Sequence, residues 1–431
     1  MARHFATWLT ALFLCAAVVG QDTAGQDVGE RRRTARALVR EGPPAIPRLA
    51  QFVTDPDLEV RIEAVKGLVE LDTAGSLDPL IQATRDNDSE IQIRAADGLV
   101  NFYLPGYAIT GLGASIKRAG NKITVRILGS SDQVIDPYIE VRKEIVEALG
   151  RVVRGGSSME SRANAARAVG ILRGKAAVPD LLEAVRSKDS QLIYECLIAF
   201  QKIRDQSAGP EISFLIRDMD ERVQVAAIEA AGLLRNMGAL PDLRGVLTRT
   251  QSNVVRRAAL TSIAMLPEPA SRQLFLRYLS DRDAGLRGAA AEGLARVRDP
   301  ADLPPLRKAF QDEGNASARV SIAFALVMLG KLEMTQFGAL EYLVNSLNSS
   351  AHSGEAKPLL VEAARDASIR QALLQPLQRG TRDEKIGLLQ VLASSGDRDS
   401  IPVMEPMARD PNMDVASEAV RALRTLKARL P

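Results

Sequence analysis

The chain has 431 residues, 46% hydrophobic and 25% charged, a balance that fits a folded protein and excludes a disordered one. Aromatics make up only 4%, so Ala, Leu and Val must do the packing, as they do in thin stacked helical layers. A net charge of +3, from 56 basic and 53 acidic residues, is too even for a dedicated nucleic-acid binder, which concentrates cations on one face.

Residues 1–20 carry a secretory-signal pattern. Arg3 supplies a short positive region, and Phe5–Val19 is an apolar run of about 15 residues, shorter than the roughly 20 that a membrane span needs. Val18 and Gly20 put small residues at the −3 and −1 positions before Gln21. Leu14 stands before Cys15 where a lipoprotein signal requires a small residue, so export without lipidation is expected, to the periplasm or the outside. Loss of this segment leaves His352 and Cys196 as the single His and single Cys, and no intramolecular disulfide can form. Cys196, in "LIYECLIAF", reads as a small buried hydrophobe, and His352, in "SSAHSGEAK", as an exposed loop residue. Residues 21–30 read as a flexible lead-in, and the basic run Glu30–Arg40 as the solvated face of a capping helix.

From residue 31 onward the dominant signal is internal repetition. "DPDLEVRIEAVKGL" (Asp55–Leu68) and "DPYIEVRKEIVEAL" (Asp136–Leu149) agree at eight of fourteen positions, and weaker copies begin at Asp88, Met219, Ser252, Asp283, Asn315 and Asn412. Each unit reads as two helices. The first carries apolar residues at helical spacing, as in Val60, Ala64, Leu68 and Leu71; the second opens on Pro, as in "VPDLLEAV" at Val178 and "LPDLRGVL" at Leu240. One such pair has too little apolar surface to stand alone, so neighbours must share a core. The Asp-Pro-x-x-x-Val-Arg core resembles HEAT repeats, particularly the short bacterial type also found in phycobilisome lyases, over about Arg31–Leu430. The expected fold is all-α, a right-handed α-solenoid of about 12 or 13 HEAT-like helix pairs over residues 31–102 and 136–431. The recurring pairs Asp57 with Arg61, Asp136 with Arg142 and Asp283 with Arg287 read as helix caps and sideways rungs between repeats, as the resemblance implies.

Residues 103–135 break the pattern, with Tyr, Gly and an alternating Ile-Thr-Val-Arg-Ile. They are expected to form a β-hairpin-like insertion turning at Gly120-Asn121, with one apolar strand face on the helices. Two uses stay open for it. It patches an irregular joint between repeats, or it presents a contact surface made of Tyr103, Tyr107, Lys117, Arg118, Lys122, Arg126 and Tyr138. About four basic residues give only a weak pull toward an acidic membrane surface.

Catalytic parts are scarce. No His cluster or paired Cys suits a transition metal, "GLGAS" (Gly111–Ser115) lacks the Gly-Lys-Ser/Thr of a phosphate loop, and the Asp and Arg recur along the array where an active site would occur once. The expected function is non-catalytic binding of a protein or peptide as an extracytoplasmic scaffold, with no cofactor, no metal and no nucleic acid. Nothing in the sequence sets the oligomeric state. The resemblance keeps an alternative open, an enzyme or tetrapyrrole-handling protein of phycobilisome-lyase-like type.

Overall fold

The computed structural model describes residues 27–107, 133–136 and 138–430. These fall into two compact units, Met1–Ile135 with Val141–Lys202, and Asp136–Glu140 with Ile203–Pro431. Every regular element among the described residues is helical. The hairpin expected within 103–135 falls largely on 108–132, outside the described residues.

In the first unit the helices are α1 (Val28–Leu38), α2 (Ile46–Phe52), α3 (Leu58–Leu71), α4 (Leu77–Ala83), α5 (Ser89–Tyr103), α6 (Lys143–Gly155), α7 (Met159–Ile171), α8 (Val178–Ala184) and α9 (Ser190–Ile203). Helices α1, α3, α5 and α7 pack side by side as one row, and α2, α4, α6 and α8 form the second. The second unit opens on the single turn α10 (Ala208–Glu211). It continues with α11 (Glu221–Leu233), α12 (Leu240–Arg249), α13 (Asn253–Ala264), α14 (Arg272–Tyr278), α15 (Ala284–Val297), α16 (Leu303–Asp312) and α17 (Ala316–Met328). After these come α18 (Ala339–Asn345), α19 (Ser353–Ala363), α20 (Ala367–Arg379), α21 (Arg382–Ser395), α22 (Ile401–Met404) and α23 (Met413–Arg429). Its odd-numbered helices from α11 to α23 make the first row and α12 to α22 the second, which gives six pairs and a closing helix. The first unit holds four pairs and α9. The described residues therefore carry fewer complete pairs than the expected 12 or 13.

Local chemistry explains where the first-row helices begin. The Asp57 carboxylate accepts from the N–H groups of Glu59 (3.0 Å) and Val60 (3.2 Å), and Asp88 does the same for Glu90 and Ile91. Asp220, Asp283, Asn315 and Asn412 repeat the cap in the second unit. Val60, Ala64 and Leu68 are fully buried, as their spacing predicts, whereas Leu71 is half-buried. Small residues let the row close up. A Cβ on Gly170 would stand 2.8 Å from the Ala199 Cα, and one on Gly232 would stand 2.9 Å from the Ser262 Cα.

The repeat copy at Asp136 is corrected by the structure. Its helix starts at Lys143, with no side-chain cap from Arg142, and it packs in the second row as the partner of α5. The apolar stripe Ile145, Val146, Leu149, Val152 and Val153 suits either row, so eight matching residues did not decide which. The interruption accordingly lies between Tyr103 and Lys143, longer than the expected 103–135. Its two ends are pinned in the first unit. The Arg142 N–H donates to the Tyr103 hydroxyl (3.2 Å), the Gly106 N–H donates to the Asn101 side-chain oxygen (3.1 Å), and the Ile135 N–H donates to the Ile171 carbonyl (3.1 Å).

The sideways rungs take the expected form at two of the three pairs. Arg61 reaches Asp86 at 2.7 Å and Arg287 reaches Glu313 at 2.7 Å, each also donating to a carbonyl of its own turn. Arg142 pairs instead with Asp78 (2.7 Å), and Asp136, in the second unit, with Arg421 (3.1 Å). At Gln92 the rung is neutral, its side-chain oxygen accepting from the Ser157 N–H and hydroxyl.

One rung sets an acid sensitivity. The hydrogen bond from Arg36, helped by Lys66, holds the Glu63 carboxyl at about 2, below its ordinary 4.5. A carboxylate depressed in the fold adds stability above about 4.5 that is lost as pH falls toward 2. Glu63→Gln should therefore lower stability at pH 7 by about 2 kcal/mol, with the gap to wild type closing in urea titrations run toward pH 2.

Candidate functional site

Residues six and nine places beyond a first-row cap are i and i+3 on one helix face, so they line up from repeat to repeat. In the first unit this face carries a polar cluster. Asp97 comes from α5, Asn164 and Arg167 from α7, and Gln191 and Glu195 from α9. The Asn164 amide donates to Asp97 Oδ1 at 3.0 Å. Arg167 Nε donates to Glu195 Oε2 at 3.2 Å, and Gln191 donates to Glu195 Oε1 at 2.8 Å. Glu195 is 5% exposed and Asn164 9%, so these contacts are made away from bulk water.

Tyr107 completes the cluster from the turn after α5. It is half-buried, with its phenol against Arg167. Burial pushes that phenol well above its ordinary value, and the Asp97 charge adds to the effect. Burial alone would pull the Arg167 guanidinium down, but Glu195 beside it holds it above its ordinary value. At neutral pH the group thus offers one cation, two carboxylates, two amides and a neutral phenol.

A second buried charge cluster lies in the second unit. Arg296, its side chain 11% exposed, donates to both oxygens of Glu362 at 2.8 Å and to Glu292 at 3.2 Å. Its guanidinium stands 5.7 Å from the Phe324 ring centre, and the Ser321 hydroxyl donates to Glu292 at 3.0 Å. Burial pulls Arg296 down, yet the two glutamates hold it above its ordinary value. In this unit the sixth position carries Ala226, Ala258, Ala289, Ser321 and Glu418, and the ninth Glu229, Thr261, Glu292, Phe324 and Arg421, so polar side chains recur on the same face there.

The residues proposed from sequence as a projecting surface fare differently. Tyr103 pins the stem of the interruption and packs edge-on against Phe102 at 5.0 Å. Tyr107 faces inward. Tyr138, in the second unit, donates to Asp136 at 3.0 Å and lies under Arg424 at 5.2 Å. Lys117, Arg118, Lys122 and Arg126 lie outside the described residues. Cys196 is fully buried, and burial raises its thiol far above the ordinary range. His352 is half-buried at the start of α19, where an exposed loop was expected, with Nδ1 3.5 Å from Glu355. Among the described residues there is no group of three or more His, Cys, Asp or Glu placed to hold a metal, and no helix long and apolar enough to cross a membrane.

Sequence reading missed Asp97, Asn164, Arg167, Gln191 and Glu195. Aligning the repeats on their caps would have flagged the sixth and ninth positions, which hold Asp97, Asn164, Arg167 and Glu195 but not Gln191, two places after Asp189.

Comparison with known proteins agrees with this architecture. Residues 23–100, 210–272 and 246–327 match the family described as HEAT repeats, and residues 161–187 match the PBS lyase HEAT-like repeat. The chain is a HEAT-repeat protein. This HEAT-repeat protein is 27% identical over 190 residues to phycocyanobilin lyase subunit alpha from Nostoc sp.. That match spans 41% of the present chain and 66% of the relative, just under two thirds of its length. Among solved structures, the phycocyanin lyase complex from Nostoc sp. is similar at 18% identity and a TM-score of 0.38, covering 62% of this chain and 92% of that one. Importin beta is similar at 13% identity and a TM-score of 0.43, covering 99% of this chain and 68% of the other.

Proposed function

We propose that this HEAT-repeat protein handles an open-chain tetrapyrrole together with a protein partner, in the manner of a chromophore-lyase subunit. The observation that carries the reading is the 27% identity to phycocyanobilin lyase subunit alpha, a relative whose name gives both the chromophore and a subunit's place in an assembly. The polar cluster of the first unit supplies chemistry of the right kind. A bilin presents propionate carboxylates, pyrrole N–H groups and a flat conjugated face. Arg167 would meet a carboxylate, Asp97 and Glu195 would accept from N–H groups, and Tyr107 would offer an aromatic face. The match to a lyase subunit also leans away from a purely non-catalytic role.

The test is spectroscopic. Purified protein titrated with phycocyanobilin should shift its absorbance and raise its fluorescence, and Arg167→Met should weaken that response by about tenfold. A wild-type protein that leaves the spectrum of phycocyanobilin unchanged would remove the reading.

Non-catalytic scaffolding outside the cytoplasm is the second reading, favoured by large apolar side chains left in solvent. Met219 is 99% exposed and Phe337 82%. Residues 1–20 are proposed as its export signal. N-terminal sequencing of envelope-purified protein should begin at Gln21, and an intact cytoplasmic chain would rule the signal out.

A further inference from the structure

Arg61 and Arg287 each stand four places beyond a first-row cap, and each finds its acid two places before the next such cap, Asp86 before Asp88 and Glu313 before Asn315. Arg319 has the same place after the Asn315 cap of α17. The next first-row helix, α19, starts after His352, and two places before that stands Ser350, which carries no charge. Arg319 accordingly makes no ion pair among the described residues, and its buried Nε has no hydrogen-bond partner. The side chain is half-buried, so its outer nitrogens meet solvent. The guanidinium lies over two rings, 4.7 Å from the centre of Phe310 on α16 and 5.1 Å from that of Tyr342 on α18. The rings meet edge to face at 5.6 Å. An arginine held in this way keeps its charge and has little freedom left to lose when an anion arrives.

The loop from Lys331 to Gly338 leads into this place. Gly338 is the N-cap of α18, which puts Phe337 just before the cap and Tyr342 at the fourth helical position. Side chains at those two positions ordinarily pack on one another. Phe337 is instead 82% exposed, and Met334 on the same loop is exposed too. An open apolar ring thus stands beside a cation that makes no ion pair. The acids near it are Glu313, both of whose oxygens accept from Arg287, and Glu341, next to Tyr342. Glu333 is exposed on the loop.

We infer that this site docks a peptide in which a carboxylate lies next to a bulky apolar side chain. The carboxylate completes the rung at Arg319, and the apolar side chain covers Phe337. A single guanidinium, with Glu333 and Glu341 on the same loop and helix start, suits a singly charged carboxylate over a doubly charged phosphate. The inference rests on the protein-binding reading for the class of partner, and uses neither export nor the Arg167 cluster.

The full chain is titrated against a fluorescent peptide of alternating Glu and Leu, read by anisotropy at fixed salt. Arg319→Gln should weaken binding by about tenfold, and Arg319→Lys nearly as much, because an ammonium neither stacks as a plane nor forks. Phe337→Ser should weaken it by about fivefold. That ring is in solvent, so the thermal midpoint of this variant should stay at the wild-type value. Met219→Ser, which removes another exposed side chain of the second unit, should leave binding within about twofold. The same peptide with Gln in place of Glu should bind about tenfold more weakly. The site is overturned if the wild-type chain fails to bind the Glu-Leu peptide, if the Gln-Leu peptide binds as tightly, or if Arg319→Gln or Phe337→Ser binds like wild type. Inorganic phosphate bound through Arg319 with the peptide not bound at all would overturn it as well. N-terminal sequencing tests the scaffolding reading separately and is moved by none of these outcomes.

Discussion

Phe275→Ala should destabilise the second unit by about 3–5 kcal/mol, read as a fall in the urea midpoint. Phe275 is fully buried, on α14, and is among the few large rings of a core built mainly from Ala, Leu and Val. Its ring fills the hollow left by Gly293 of α15, where a Cβ would come within 2.5 Å of the ring carbons. That contact gives a coupled expectation. Gly293→Ala alone should cost about 1–3 kcal/mol by overpacking, because a ring wedged between two helices cannot slide away. In a Phe275→Leu background the same change should cost far less, and the difference is a coupling energy readable from a double-mutant cycle. Simple addition of the two single effects would show that the ring and the glycine do not share one space.

Arg296→Met should be the most damaging change of a charged residue, at about 3 kcal/mol. The guanidinium is the shared cation of Glu292 and Glu362, and removing it leaves two carboxylates facing one another without a counter-charge. Glu362 is 30% exposed, so water reaches part of the site and keeps the loss below that of a fully buried triad. Glu292→Gln and Glu362→Gln added to Arg296→Met should recover most of the loss, since neutral amides carry no repulsion. Urea titrations of the single and triple variants measure both effects. If the triple variant were no more stable than the single one, the loss would come from packing against Phe324 and not from charge.

Much of the site was hidden from sequence reading for a reason that Arg167 illustrates. It lies on the polar face of an otherwise ordinary helix. Glu195, its partner, is 28 residues away, and Tyr107, its aromatic neighbour, is 60 residues away in the chain. The tyrosines were ambiguous in the opposite way. Their clustering in sequence left a packing joint and a projecting surface both open, and in the fold Tyr103 accepts a backbone N–H, Tyr107 turns to Arg167, and Tyr138 sits under Arg424. A Tyr hydroxyl that finds a local donor or acceptor is drawn inward, and composition does not say whether one is within reach.

By itself the sequence determined the helical class, the repeat, the caps at Asp57 and Asp283, and the burial of Cys196. These rest on rules acting within one turn or one repeat: a carboxylate beside free N–H groups, and apolar residues every three or four places. Tertiary structure alone decided that Lys143–Gly155 belongs to the second row, that Asp136 pairs with Arg421, and that arginines take the left-handed ends of the helices. An amphipathic stripe specifies that a helix must be covered and leaves open which neighbour covers it. That choice depends on shapes and charges brought together from distant parts of the chain.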